Sequence, residues 1–123
     1  MQLAFDPLDE GPNWLTDCGD LNVDGVDDLC VGANGGVLGA TSQAAVYYGP
    51  IAQGQLGFGK SSVVLTADAS ECAGQAVDGE ADLDGDGAPE LVVGAPCRNG
   101  HDGGLYVVSD PGTGTVPLAD HPA

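Results

Sequence analysis

The sequence predicts an all-β protein built as two consecutive units of four short antiparallel strands. Three observations carry that prediction. Glycine occupies 21 of 123 positions, far above the usual share of about 7%. With eight prolines and repeated Asn-Gly and Asp-Gly pairs, it marks closely spaced turns. Between the turns lie short apolar, β-branched runs, and no stretch shows a helical period. Finally, the pattern that begins at Asp20 begins again at Asp82.

The first unit opens with a segment near residues 13–19, then an acidic loop, Asp20 to Asp28. A strand follows, Leu29-Cys30-Val31, continuing into Gly32-Ala33-Asn34 and a glycine-rich turn. Ala45-Val46-Tyr47-Tyr48 and Ser62-Val63-Val64-Leu65-Thr66-Ala67-Asp68 supply the third and fourth strands. The second unit repeats the order: residues 73–81, the loop Asp82 to Glu90, then Leu91-Val92-Val93 with Gly94-Ala95-Pro96. Leu105-Tyr106-Val107-Val108 and Val116-Pro117-Leu118-Ala119-Asp120 complete it. A repeat of this length holding four antiparallel strands is the pattern of a β-propeller blade. A small stand-alone β-sandwich also shows short alternating strands and is the alternative.

Both loops read D-x-[DN]-x-D-G-x-x-[DE]. The candidate ligands are Asp20, Asn22, Asp24 and Asp28 in the first, and Asp82, Asp84, Asp86 and Glu90 in the second. Oxygens at positions 1, 3, 5 and 9 can converge on one hard cation, and the backbone carbonyl at position 7 (Val26 or Ala88) can join them. Glycine at position 6 permits the sharp turn. Two calcium sites are the expectation, because calcium accepts six to eight oxygens in a flexible shell. The loops are not EF-hands: position 12 is Val31 or Val93 rather than a bidentate Glu. The second loop, with four carboxylates against three and an amide, should bind more tightly. The competing reading is a pair of Asp-Gly turns whose acids simply face solvent.

At this length the chain fits one small domain. Lys60 and Arg98 are the only basic side chains against 19 acids, for a formal charge of −17. Such a field repels nucleic acid and anionic membranes. No apolar stretch is long enough to span a bilayer. The start, Met1-Gln2-Leu3-Ala4-Phe5, lacks the regions of a signal peptide, so an exported form would be mature, truncated or part of something longer. Four cysteines beside calcium-type loops point to an oxidising, extracellular compartment. Cys18 and Cys30 lie symmetrically about Asp24, and Cys72 and Cys97 flank the first hairpin of the second unit. Antiparallel pairing would bring each couple within bonding reach, so the expectation is Cys18–Cys30 and Cys72–Cys97.

Over most of its length the chain resembles the FG-GAP repeats of the integrin α-subunit β-propeller and its bacterial relatives. Gly94-Ala95-Pro96 reproduces the GAP element, and Gly32-Ala33-Asn34 departs from it at the third residue. Ala73-Gly74 keeps the glycine of the FG element, whereas Gly11-Pro12 keeps neither residue. The resemblance implies two adjacent blades, 6–68 and 69–120, with calcium loops at one rim. Two blades cannot close a ring, so it also implies further blades or a partial module with an under-covered apolar face. The implied role is structural, adhesive or ligand-binding outside the cytoplasm, with a protein or glycan ligand, or more blades, as partner. A non-catalytic propeller segment of a secreted enzyme is the alternative.

Gly54-Gln55-Leu56-Gly57-Phe58-Gly59-Lys60-Ser61 spells a phosphate-loop pattern. That chemistry needs a helix after the motif, and a β-branched run follows instead. No C-x-x-C pair, G-x-S-x-G elbow or H-E-x-x-H motif is present, so catalysis is not expected. His101 beside Asp102 reads as a solvated turn residue. Trp14, Tyr47, Tyr48 and Tyr106 are expected in the core between the units.

Overall fold

The computed structural model describes residues 3–5, 14–34, 42–51, 54–56 and 61–120. Within them the chain is all-β. The first sheet follows chain order as an antiparallel meander: β2 (Trp14–Asp17), β3 (Leu29–Asn34), β4 (Ser42–Tyr47) and β6 (Val63–Ala67). The second sheet holds β7 (Ala76–Ala81), β8 (Glu90–Ala95) and β9 (Gly104–Val108), again antiparallel. These seven strands fall on the four segments read in the first unit and the first three read in the second.

The eighth run behaves differently. β10 (Gly114–Pro117) leaves the second unit and pairs in parallel with β6, giving sheets of five and three strands. The expectation of four antiparallel strands in the second unit is corrected accordingly, and neither sheet closes on itself. The cause lies in the connection from β9. The Tyr48 hydroxyl donates to the Gly112 carbonyl at 2.7 Å, and the Gly114 amide donates to the Ser62 carbonyl at 3.1 Å. Pro111 is fully buried. The chain is thus fastened to the first sheet just before and at the start of β10, and Leu118 beyond it enters the common core.

Two further features went unread in the sequence. A parallel pair, β1 (Leu3–Phe5) with β5 (Gly54–Leu56), stands apart from both sheets. A single turn of helix, α1 (Arg98–His101), occupies the glycine-rich turn of the second unit. Four residues are too few to leave a periodic signature. Among the described residues, no helix is long and apolar enough to cross a membrane.

The two sheets share one core. Cys30, Ala44, Val46, Val63 and Leu65 of the first face Val77, Leu91, Val93, Tyr106 and Val108 of the second. Val31, Ala45 and Tyr47 point the other way and form a smaller cluster with Leu29 and Ile51. The strand period of two thus buries both faces of β3 and β4. Glycine permits the closest approaches. A Cβ on Gly32 would strike the Gly74 carbonyl, and one on Gly79 would lie 2.5 Å from the Cys18 Cβ.

Tyr106 is buried in the shared core as expected and Tyr48 packs partly against it, whereas Tyr47 is buried in the smaller cluster on the other face and Trp14 is 49% exposed. Trp14 belongs to β2, the edge strand of the first sheet, which runs beside β7 of the second. With Leu15, Val92 and Leu105 it lines an open groove of about 530 Å³, the under-covered apolar face expected of an open stack. Both disulfides form as expected. Cys18–Cys30 spans a Cα separation of 5.8 Å and Cys72–Cys97 one of 5.3 Å. They place the chain with proteins matured in an oxidising environment.

Candidate metal centre

The second acidic loop bridges the end of β7 and the start of β8. Gly85 and Gly87 take φ values of 79° and 96°, the left-handed region that side chains disfavour, and these turns fold the acids over the backbone. Asp82 anchors the loop. One of its oxygens accepts the amides of Gly85 at 2.7 Å and Asp86 at 3.1 Å, and the other accepts that of Gly87 at 2.9 Å. Asp84 accepts from Asp86 at 3.0 Å, and Asp86 from Ala88 at 2.9 Å.

Glu90 closes the loop from below and is buried. Its Oε2 accepts the amides of Leu83 at 2.6 Å and Asp84 at 3.2 Å. Its Oε1 is buried and accepts no hydrogen bond among the described residues. One ligand oxygen from each of Asp82, Asp84, Asp86 and Glu90 lies within 4.8 Å of all the others. Calcium–oxygen bonds of about 2.3–2.6 Å put opposite ligands about 4.6–5.2 Å apart, whereas magnesium would draw them to about 4.2 Å. Oxygens gathered within 4.8 Å of one another can share one hard cation.

The electrostatics fit a cation. The Asp86 amide favours ionised Asp84, but loss of hydration and the neighbouring charges of Asp86 and Glu90 outweigh it, so its carboxyl titrates above the ordinary range. Like charges are being held together, and a buried carboxylate oxygen without a partner carries a desolvation cost. A divalent ion relieves both. The donor set and the orphaned Glu90 oxygen therefore fit a hard divalent cation.

The first loop repeats the architecture with one difference. Asp20 accepts from Asp24 at 2.9 Å and Gly25 at 2.7 Å, and Asp24 from Val26 at 2.9 Å. Loss of hydration pushes Asp20 upward, but these amides win and hold its carboxyl below the usual range. Its closing acid, Asp28, is buried like Glu90, yet both its oxygens are engaged. One accepts the Leu21 amide at 2.8 Å and the other the Gly49 amide at 2.9 Å. Asn22 turns its side-chain amide toward Asp24 at 3.2 Å. Among the described residues, the second loop is the acidic group whose oxygens converge. Asp28 is one methylene shorter than Glu90, and its Oδ1 accepts the Gly49 amide where Glu90 Oε1 accepts none among the described residues. The engagement of Asp28 by Gly49, 21 residues away, had no signal in the sequence.

Elsewhere, Val63–Ala67 after the phosphate-loop pattern is strand rather than helix, while residues 57–60 of that pattern lie outside the described residues. Gly11-Pro12 and the His101 side chain lie outside them too. Glu71, Arg98 and Tyr106 form a cluster that the sequence did not suggest. Arg98 pairs with Glu71 at 3.2 Å and lies 4.8 Å over the Tyr106 ring. The Tyr106 hydroxyl donates to the same Glu71 oxygen at 2.8 Å. No protein-family model matches the chain.

Proposed function

We propose that this chain is a calcium-stabilised β-repeat segment of the FG-GAP kind, with a structural, adhesive or ligand-binding role outside the cytoplasm. The observation that carries the calcium reading is the buried Glu90 Oε1 without a partner, set among three further converging carboxylates. Asp82, Asp84, Asp86 and Glu90 would hold the first ion, with the Ala88 carbonyl or water completing its shell. The bound ion would neutralise the loop and cross-link β7 to β8. The first loop would hold a second, weaker ion, because it offers three carboxylates and an amide against four carboxylates.

The two disulfides support a compartment where calcium is plentiful. The repeated units and the groove lined by Trp14, Leu15 and Leu105 support packing against a further blade of the same kind. Calorimetric titration of chelator-treated protein with calcium tests the reading. We expect heat of binding, a rise in melting temperature, and loss of most of both in Glu90→Gln. Unchanged melting and no heat would leave the loops as solvated turns.

A further inference from the structure

We propose that the two acidic loops form one coupled unit, in which an ion in the second loop orders the first. The inference rests on the calcium reading of the second loop and concerns what that ion does at a distance.

The observation behind it is an irregularity in β7. Its register with β8 runs from Ala76 to Asp78, then resumes only at Ala81 opposite Glu90. Gly79 and Glu80 form a bulge between, and Glu80 takes a φ of 73°. Such a conformation is unfavourable for a side-chain-bearing residue. Bulges re-aim backbone groups, and this one frees the Glu80 amide from the β8 ladder. It donates instead to the Cys18 carbonyl at 3.3 Å, across the gap between the sheets.

Cys18 and Gly19 are the neck of the first loop. The Cys18 amide donates to the Asp28 carbonyl at 3.1 Å, and the Asp28 amide to the Gly19 carbonyl at 2.8 Å. Gly19 also lies close to the second loop's own frame: a Cβ there would lie 3.4 Å from both Glu80 Cα and Pro89 Cγ. Glu80 and Pro89 each stand within two residues of an ion ligand, Asp82 or Glu90. An ion that draws Asp82 and Glu90 together therefore fixes the surface on which the neck of the first loop rests.

The coupling is through packing and must exceed the repulsion that a filled loop exerts on a second cation. That repulsion is screened beyond about 8 Å at physiological ionic strength, so the test belongs there. By linkage the effect is reciprocal for binding free energies.

Amide hydrogen exchange during calcium titration of the whole chain reads each loop separately, at Asp24 and Gly25 in the first and Asp86 and Gly87 in the second. Asp84→Ala removes an exposed ligand of the second loop. Protection of the first loop should then require about fivefold more calcium or more. Pro89→Ala keeps all four ligands but removes the ring carbon that stands nearest Gly19. It should leave the second loop's midpoint in place while raising that of the first. An unchanged first-loop midpoint in both variants would overturn the coupling while the calcium reading stands. No calcium-dependent protection of either loop in the unaltered protein would overturn both.

Discussion

Gly79 lies against Cys18 so closely that a methyl group on it would stand 2.5 Å from the Cys18 Cβ and 2.7 Å from the Cys18 carbonyl oxygen. The bulge of the second sheet is pressed onto the disulfide of the first, and neither backbone can retreat. Gly79→Ala should therefore destabilise the fold by about 1–3 kcal/mol through overpacking. Gly94→Ala is the matched comparison. Its Cβ would meet the Ala76 carbonyl at an ordinary 3.5 Å, so it should stay within about 0.5 kcal/mol of the parent. Urea midpoints at constant slope measure both.

The disulfides should differ in accessibility. Cys18 and Cys30 are fully buried, whereas Cys72 and Cys97 are partly exposed. Mild thiol reductant should open Cys72–Cys97 first, as alkylation followed by peptide mapping would record. Loss of that bridge alone should cost about 2–4 kcal/mol. The Glu71–Arg98–Tyr106 cluster joins the same two chain segments, and the Cys97 amide donates to the Glu71 carbonyl at 3.1 Å. Glu71→Gln should therefore destabilise the reduced protein more than the oxidised one.

Stability should fall at alkaline pH in a way traceable to Tyr48. Burial, then the charges of Asp110 and Asp28, raise its phenol from 10.0 to about 12. A group raised in the folded state binds its proton more tightly there than in the unfolded chain. Its contribution is complete below pH 10 and is lost as pH rises through 12. Tyr48→Phe should flatten the slope of stability against pH between those values. Tyr106 is also raised, first by burial and then by Glu71, so the difference between parent and variant is the quantity to read.

The groove beside β2 should make the isolated chain self-associate. Trp14, Leu15 and Leu105 are each about half exposed and contiguous around it, which is unusual for a monomer surface. Trp14→Ser combined with Leu105→Ser should shift sedimentation toward monomer and reduce binding of hydrophobic dyes. Folding stability should change little, because neither side chain contributes to the shared core.

Much of this architecture was legible in the residues themselves. Local signals determined the all-β class and the first seven repeat strands, since glycine turns and β-branched runs act within a few residues of one another. The disulfides could be read for a related reason: the hairpin of β2 and β3 brings Cys18 within reach of Cys30, although in the register Cys30 stands opposite Thr16 and Cys18 lies diagonally beyond it. The paired acidic loops were equally visible, because their ligand spacing lies within nine residues.

Tertiary structure decided the rest, wherever the partner lies far along the chain. It carried β10 to β6, with Gly112 fastened to Tyr48, and it left Trp14 half exposed on the edge strand β2. It also separated two loops of nearly identical sequence. Asp28 meets the Gly49 amide, while Glu90 keeps one buried oxygen free. A ligand motif specifies which oxygens are available. Whether they point at an ion depends on which distant amides reach them first, and that competition is settled only when the sheets pack.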